Sequence, residues 1–321
     1  MRDGYERNID YLRVSITDRC NLRCRYCMPV EPAFIPHENV LRYEEILRIC
    51  RLAVEVGIRR IRITGGEPLV RKGCLDLMAM LREIPGLEGL AITTNGVLLE
   101  EAVPRLRELK VNSVNVSLDT LQEERFRSIT NRGSFQKVWK GIMAAVDAGL
   151  PVKINCVPQR GVNEDELEEI AALASRYPVD VRFIEMMPLG YGANFQAVSG
   201  DEVLERLQRV YPKLHPFSGK RGYGPARYYE APELLGKLGL ISAVSHCFCQ
   251  ECNRVRLTSE GLLKPCLYYG DGVDLRTLIR EGAGDTELRE AIERGIQSKP
   301  RQHGFNSGRR EEERIMSQIG G

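Results

Sequence analysis

Three cysteines near the start of the chain have a spacing that suits a metal site. Cys20, Cys24 and Cys27 form C-x3-C-x2-C within TDRCNLRCRYC, directly after a run that predicts a strand. Three thiolates on one loop can hold three corners of a four-iron cluster, which normally takes four cysteine ligands. The remaining iron would stay open for a small molecule, as catalytic zinc sites keep an open position. A zinc site and chance spacing are the alternatives.

A second set of cysteines lies nearer the carboxyl end. Cys249 and Cys252 form C-x2-C, and thirteen residues separate Cys252 from Cys266 in the segment FCQECNRVRLTSEGLLKPC. Such pairs also bind zinc in ribbon-like structures, where Cys247 or His246 could supply a fourth ligand. The residues alone therefore leave two interpretations open, an iron–sulfur cluster and a structural zinc site.

Short polar or glycine-rich segments follow three further predicted strands. They are TGGEP at 64–68, TTNG at 93–96 and SLD at 117–119. Glycines before a proline usually indicate only a turn. The carboxyl ends of parallel strands are, however, where barrel active sites form. We therefore expect these segments to lie beside the first cysteine loop.

Strand-like and helix-like runs alternate over residues 11–186. The predicted strands are Tyr11–Ile16, Arg60–Thr64, Gly89–Thr94, Asn112–Leu118, Pro151–Val157 and Asp180–Glu185. The predicted helices are Glu44–Val56, Cys74–Ile84, Glu100–Leu109, Phe135–Ala148 and Glu164–Arg176. Each helical run is long enough for a crossover, so the pattern predicts an α/β fold with a parallel sheet. The sheet forms either an incomplete barrel or a doubly wound fold.

The faces of the predicted strands favour the barrel. In the first strand Leu12 and Val14 alternate with Arg13 and Ser15, and other strands repeat this pattern. Side chains alternate between the two faces of a strand, so helices should cover the aliphatic face. The polar face should line an interior that binds a ligand. An antiparallel sheet with one solvated face is the alternative.

Four basic residues are expected on the polar faces of these strands: Arg13, Arg62, Lys153 and Arg182. Buried cations usually have an anionic partner. Four of them around one cavity indicate a polyanion such as a triphosphate, which arginine can bind in a fork. Internal salt bridges with Glu67, Asp119 and Glu185 are the alternative.

The composition excludes several classes of protein. With 46 Lys+Arg and 44 Asp+Glu in 321 residues, the net charge of +2 argues against a general nucleic-acid-binding surface. No run of apolar residues is long enough to span a membrane, and the charged start is unlike a signal peptide. We expect a cytoplasmic protein, in which most of the ten cysteines are reduced thiols and some are metal ligands.

Taken together, these motifs resemble a known superfamily and one family within it. C-x3-C-x2-C followed one βα unit later by GGEP resembles the radical S-adenosylmethionine superfamily. The segment FC-x2-CNR-x-RLT-x2-G-x4-C, the preceding GKLGLISAVSHCF and the terminal Gly-Gly resemble the GTP 3′,8-cyclases of molybdenum cofactor biosynthesis. The similarity extends over roughly residues 8–321.

This resemblance implies a fold and a set of cofactors. It implies a partial (β/α)6 TIM-like barrel, the radical SAM core, at residues 1–232. A smaller carboxyl-terminal iron–sulfur domain at 233–321 would bind the second cluster and the substrate. The cofactors would be two [4Fe-4S] clusters and S-adenosylmethionine. Cys20, Cys24 and Cys27 would hold the first cluster, and Cys249, Cys252 and Cys266 the second.

The resemblance also implies the remaining site residues. The expected S-adenosylmethionine contacts are Tyr26, Gly66, Glu67, Ser117 and Met187. The expected GTP contacts are Arg13, Arg62, Thr93, Lys153, Arg182, Arg254, Val255 and Arg256. The terminal Gly320 and Gly321 would reach into the active site and support productive turnover. Cys247 has no role in this pattern.

The implied reaction is a radical cyclisation, which would make the protein a lyase. The reduced first cluster would cleave S-adenosylmethionine to a 5′-deoxyadenosyl radical, which removes the ribose 3′ hydrogen of GTP before C3′ attacks C8. An electron donor such as flavodoxin or ferredoxin and a homodimer are compatible with this interpretation. A radical enzyme that modifies peptides and a non-catalytic iron–sulfur or zinc-binding protein are the rival interpretations.

Overall fold

One twelve-stranded sheet organises the protein, whose computed structural model describes residues 1–219, 221–309 and 311–320. Its first six strands are β1 (Tyr11–Ser15), β2 (Arg60–Thr64), β3 (Gly89–Thr94), β4 (Ser113–Ser117), β5 (Val152–Cys156) and β6 (Asp180–Ile184). They are neighbours in this order, and every pair is parallel. All six predicted strands are confirmed, and the antiparallel alternative is wrong.

Helices connect these strands. They are α1 (Tyr43–Glu55), α2 (Cys74–Arg82), α3 (Leu99–Glu108), α4 (Glu123–Thr130), α5 (Phe135–Asp147), α6 (Leu167–Ala171) and α7 (Leu173–Arg176). Four of the five predicted helices are confirmed as single elements. The fifth, Glu164–Arg176, is divided between a 3-10 turn at Glu164–Glu166 and the two short helices α6 and α7. The sequence pattern did not predict α4, which packs on α5.

The second half of the chain extends this sheet on both sides. Its strands are β7 (His215–Pro216), β8 (Arg227–Glu230), β9 (Leu238–Ile241), β10 (Arg254–Leu257), β11 (Leu262–Lys264) and β12 (Val273–Asp274). β9 pairs parallel with β6, and β10 pairs parallel with β1. Both edges of the six-stranded core are therefore covered by chain that comes much later in the sequence.

The remaining helices accompany these added strands. They are α8 (Gly200–Val210), α9 (Leu275–Arg280), α10 (Asp285–Gln297) and α11 (Met316–Ile319). Further 3-10 turns lie at His37–Asn39, Pro68–Val70, Gly190–Asn194 and Cys249–Glu251. Within the described ranges, no helix is long and apolar enough to cross a membrane.

The predicted division of the strand faces is confirmed. Leu12, Val14, Ile61 and Ile63 are at most 1% exposed and lie in the hydrophobic core that the helices cover. The opposite face carries the basic residues and lines a cavity. The fold is a partial TIM-like barrel, in which helices surround the sheet and the polar strand faces point inward.

A buried arginine joins the amino terminus to the carboxyl-terminal segment. Arg7 donates from Nε to Oδ2 of Asp3 (2.6 Å) and from Nη1 to the carbonyl of Cys249 (2.8 Å). Its Nη2 donates to the carbonyl of Pro300 (2.7 Å). The ion pair is almost completely buried. One side chain thus fixes the main chain that carries a cysteine of the second set.

Arg7→Ala should therefore destabilise the protein strongly. Removing one partner of a buried ion pair leaves Asp3 charged and unpaired, which costs about 3–5 kcal/mol. Urea unfolding of the anaerobic protein should show this loss. Arg2→Ala is the matched control, because the Arg2–Glu6 pair is largely exposed and should leave the unfolding midpoint unchanged. Similar losses in both variants would contradict this account of Arg7.

Candidate active site

A cavity of about 770 Å³ lies on the polar face of the sheet. Its volume is within the range of ligand-binding pockets. Six predicted cysteine ligands line it: Cys20, Cys24, Cys27, Cys249, Cys252 and Cys266. The other predicted residues that line it are Arg13, Tyr26, Arg62, Gly66, Thr93, Ser117, Lys153, Arg182, Met187, Arg254 and Arg256. The fold therefore brings both halves of the predicted site to one enclosure.

The GGEP segment holds the loop that leads to the first cysteines. The amide of Gly66 donates to the carbonyl of Thr17 (2.7 Å), and that of Glu67 donates to the carbonyl of Arg19 (2.8 Å). A Cβ on Gly66 would lie 2.5 Å from the Arg19 carbonyl oxygen. Only glycine allows this close approach of two backbones, so the motif positions Cys20 as well as lining the cavity.

The three cysteines of the first set are half-buried and line the cavity from one loop. Burial raises the pKa of the Cys24 thiol well above its usual range, and the adjacent Cys27, Asp119 and Cys20 raise it further. Burial also raises the pKa of Cys27 to about 12. Protein groups alone therefore disfavour the thiolates. A bound metal cluster would supply the positive charge that stabilises them, so the donor set fits three corners of a four-iron cluster.

Glu67 lies behind the cavity wall. Its carboxylate accepts hydrogen bonds from Thr94 Oγ1 (2.8 Å), the Asn95 amide (2.6 Å) and the Leu69 amide (3.1 Å). The residue is completely buried, and burial raises its pKa to about 7. Glu67 thus ties the loop after β3 to the GGEP loop. Its direct contact with S-adenosylmethionine stays a prediction.

Tyr26 is fixed from the other side of the same loop. Its hydroxyl donates to Oδ2 of Asp119 (2.7 Å), whose Oδ1 accepts the Val157 amide (2.8 Å). Burial raises the pKa of Asp119 to about 6. The strand end at Asp119 therefore orients a ring inside the first cysteine motif, while Ser117 from the same strand end lines the cavity.

Buried and half-buried arginines form the basic part of the cavity. Burial lowers the pKa of Arg13 well below its usual range, and the charge of Arg256 lowers it further. Burial, followed by the charge of Arg254, lowers the pKa of Arg256 to about 10. These cations repel each other in a confined space, so an anionic ligand would stabilise all of them.

The other basic residues are held mainly by neutral groups. Arg62 donates to Tyr11 Oη and, at 3.3 Å, to both Thr93 Oγ1 and Ser113 Oγ. Arg182 donates to Oδ1 of Asn155 at 2.6 and 2.8 Å.

The predicted alternative partners are occupied elsewhere. Glu185, for example, accepts the amides of Val244 (2.8 Å) and Ser245 (2.9 Å). Lys153 instead forms an ion pair with Asp180 (3.3 Å). The proposed network of salt bridges with Glu67, Asp119 and Glu185 is therefore wrong.

The second set of cysteines has a positive environment. Burial opposes ionisation of Cys252, but Arg254 and Lys299 together lower the pKa of its thiol to about 6. Nη2 of Arg254 lies 3.9 Å from its sulfur. The amide of His303 donates to the sulfur of Cys249 (3.4 Å). The thiolate of Cys252 is thus favoured before any metal binds, which fits the prediction of a metal-ligating set.

Val255 is the predicted contact that the strand turns away from the cavity. It alternates with Arg254 and Arg256 on β10, and its side chain is 1% exposed within the hydrophobic core. Any contact of Val255 with a ligand must therefore come from its main chain.

The carboxyl-terminal tail enters the site. The carbonyl of Gly320 accepts hydrogen bonds from Nη1 of Arg256 (3.0 Å) and Nη2 of Arg13 (3.4 Å). A Cβ on Gly320 would lie 2.9 Å from Cβ of Ser15. A completely buried ion pair between Lys264 and Glu312 anchors the segment that leads there. Gly321, the other predicted tail residue, lies outside the described residues.

Several residues of the cavity were missed by the sequence analysis. Asn155 lies on the polar strand face with Lys153, as alternation predicts, but it was not among the predicted ligand contacts. Nζ of Lys153 donates to the hydroxyl oxygen of Tyr228 (3.0 Å), and Gly222 lies against the same ammonium group. No sequence pattern connects residues 222 and 228 with residue 153, because only the tertiary structure brings these two positions to the barrel interior.

Comparison with known proteins agrees with this site. Sequence models of the "Radical SAM superfamily" and of "Molybdenum Cofactor Synthesis C" match residues 14–174 and 179–305. A GTP 3′,8-cyclase of Moorella thermoacetica is 47% identical over 325 residues and covers 100% of both chains. One from Clostridium perfringens is 44% identical over 323 residues, again with 100% coverage of both.

Solved structures show the same fold at low sequence identity. Streptococcus suis SuiB bound to S-adenosylmethionine has a TM-score of 0.60 and 16% identity, covering 91% of this chain and 68% of SuiB. Native anSMEcpe with bound AdoMet has a TM-score of 0.55 and 16% identity, covering 92% and 82%. At this identity the likeness concerns the fold alone.

The partial barrel with three cysteines after its first strand and GGEP after its second defines a radical SAM enzyme. Its cofactors are S-adenosylmethionine and two [4Fe-4S] clusters, the second held by the carboxyl-terminal part. Sequence identity of 44–47% to GTP 3′,8-cyclases over the full length identifies the family within this superfamily. The chain belongs to the GTP 3′,8-cyclase family.

Gly222 leaves little space for a side chain beside the ammonium group of Lys153. Gly222 has a φ of +77°, and an added Cβ would lie 3.1 Å from Nζ of Lys153. Gly222→Ala should displace this ammonium group and strain the loop by roughly 1–2 kcal/mol. Calorimetry with inorganic tripolyphosphate should then show binding weakened by up to about tenfold. Gly224→Ala is the control, because a Cβ there meets open space. Equal effects in the two variants would contradict the prediction.

Proposed function

We propose that this chain converts GTP to (8S)-3′,8-cyclo-7,8-dihydroguanosine 5′-triphosphate, the first step of molybdenum cofactor biosynthesis. The observation that carries the proposal is the enclosure of two three-cysteine sets and a group of buried cations in one cavity. The names of the full-length relatives support it.

The residues of the first half would hold and orient the cofactor. Cys20, Cys24 and Cys27 bind the first cluster. The S-adenosylmethionine contacts are Tyr26, Gly66, Glu67, Ser117 and Met187. When bound, this pair of cofactors supplies the one-electron chemistry that removes the ribose 3′ hydrogen. The chain contributes orientation and a cavity that excludes water, which prevents side reactions of reactive species.

The basic residues would hold the substrate. A triphosphate carries several negative charges, and the cavity confines cations whose mutual repulsion it would relieve. The GTP contacts are Arg13, Arg62, Thr93, Lys153, Arg182, Arg254, Val255 and Arg256, with Val255 acting through its main chain. Cys249, Cys252 and Cys266 hold the second cluster, which anchors the guanine.

The same proposal covers the domain boundary, the electron donor, the oligomeric state and the cellular location. The barrel core comprises residues 1–232 and the second-cluster domain residues 233–321, although the pairing of β8 with β9 crosses this boundary. An electron donor such as flavodoxin or ferredoxin reduces the first cluster, and the chain can form a homodimer. The enzyme works in the cytoplasm.

Anaerobic incubation with S-adenosylmethionine, a reductant and GTP tests the function directly. The protein should bind about eight irons and produce both 5′-deoxyadenosine and a cyclised guanine nucleotide. Replacing Cys20, Cys24 and Cys27 with Ala should leave about half of the iron and abolish 5′-deoxyadenosine.

Replacing Cys249, Cys252 and Cys266 with Ala should separate cofactor cleavage from cyclisation. About half of the iron should remain, with some cleavage of S-adenosylmethionine but little cyclised product. A wild-type protein that makes 5′-deoxyadenosine but no guanine-derived product would favour the peptide-modifying rival. Absence of 5′-deoxyadenosine would favour the non-catalytic one.

Deletion of Gly320 and Gly321 should affect turnover more than binding. We expect iron content and GTP affinity to stay nearly unchanged and the cyclised product to fall sharply, because the Gly320 carbonyl reaches Arg13 and Arg256. A synthetic peptide ending in IGG should restore part of the activity at high concentration, since ordering a free tail costs about 1–2 kcal/mol per residue. Full activity of the truncated protein would show that these glycines have no role in turnover, as is common for residues at a chain end.

A further inference from the structure

Two residues beside the second cysteine set have no role in the proposed function. Cys247 is exposed, whereas Cys249 is buried and His303 is half-buried. Their sulfur and ring-nitrogen atoms all lie within 4.8 Å of one another. His303 comes from a segment more than fifty residues later in the chain, so its position here is a result of the tertiary structure.

The spacing of these three donor atoms suits a single metal ion. Tetrahedral zinc with bonds of about 2.3 Å to sulfur and 2.0 Å to nitrogen places its ligands roughly 3.5–3.8 Å apart. Small rotations of the side chains would bring atoms within 4.8 Å to this separation. In a four-iron cluster each thiolate binds a different iron, so its ligand sulfurs lie farther apart.

The donor types also select an ion class. Two thiolates and one imidazole suit a borderline-soft divalent cation such as Zn²⁺, and they are poor ligands for Mg²⁺ or Ca²⁺. Nε2 of His303 is buried and has no hydrogen-bond partner among the described residues. Coordination through Nε2 would move the ring proton to Nδ1. The 3.3 Å hydrogen bond that Nδ1 accepts from the Phe305 amide would then be lost.

His246, the neighbour of Cys247 in sequence, is directed elsewhere. Its Nε2 lies 2.8 Å from both carboxylate oxygens of Asp201. The structure therefore directs the histidine that the sequence offers as a ligand away from these thiols and brings a different one to them. It assigns the role to His303 and makes His246 a natural control.

We propose that Cys247, Cys249 and His303 form a mononuclear site for Zn²⁺ that competes with the second iron–sulfur cluster. The two occupants exclude each other because both require Cys249. The fourth zinc position faces the exposed side of Cys247 and is open to water. This part of the chain thus has two metal states, and zinc at this site blocks assembly of the second cluster.

Zinc binding by the full-length Cys266→Ala variant, with its first cluster loaded, tests the site. This variant lacks one ligand of the second cluster but keeps all three proposed zinc ligands. After anaerobic incubation with Zn²⁺ and gel filtration, metal analysis should find about one zinc per chain. Co²⁺ in place of Zn²⁺ should give the absorption bands of a tetrahedral thiolate site.

Second substitutions in this variant identify the ligands. Adding Cys247→Ser or His303→Ala should weaken zinc binding at least about tenfold, whereas adding His246→Ala should not change it. Unchanged zinc affinity after Cys247→Ser, or an equal loss after His246→Ala, would overturn the proposal.

Competition in the otherwise unaltered chain tests the exclusion. During reconstitution with iron and sulfide, one equivalent of Zn²⁺ should lower the bound iron by about half in the wild type and by much less in Cys247→Ser. Full iron loading of the wild type together with bound zinc would overturn the exclusion. These measurements use no GTP, so they are independent of the outcome of the cyclisation assay.

Discussion

The in-register parallel pairing of β1 with its two neighbours decides where the charges of the cavity lie. Arg13 is opposite Arg62 of β2 on one side and opposite Arg256 of β10 on the other. Register partners in a sheet point to the same face. Three cations from distant parts of the sequence therefore meet in one space. The intervening residues Leu12 and Val255 point the other way and build the core.

Three cations in one cavity repel each other, and other groups of the protein reduce the cost of placing them there. Burial and mutual repulsion lower the pKa values of Arg13 and Arg256. Neutral acceptors, such as the Gly320 carbonyl, compensate part of the desolvation. The remaining electrostatic energy is available to an anionic ligand. A site preorganised in this way stabilises charge without having to rearrange when the ligand binds.

The two cysteine sets sit in opposite electrostatic environments. Burial and neighbouring thiols raise the pKa values of the first set, as at Cys24. Arg254 and Lys299 lower the pKa of Cys252 in the second. The first set thus depends on its metal to become ionised, whereas the second offers a thiolate on its own. A thiolate that is already ionised binds soft metal ions readily, so Cys252 is prepared for a metal before any cluster is present.

The sequence by itself determined the local features: six strands, most of the helices between them, both cysteine sets and the basic faces. Each depends on periodicity or spacing over a few residues, such as the alternation of Arg13 with Leu12 and Val14. Only the tertiary structure decided which segments close the barrel. It paired β9 and β10 with β6 and β1, brought Gly222 to Lys153, and chose His303 over His246 beside Cys247. These contacts join residues far apart in sequence, and such pairings are set by packing of the whole sheet, which leaves no local pattern to read.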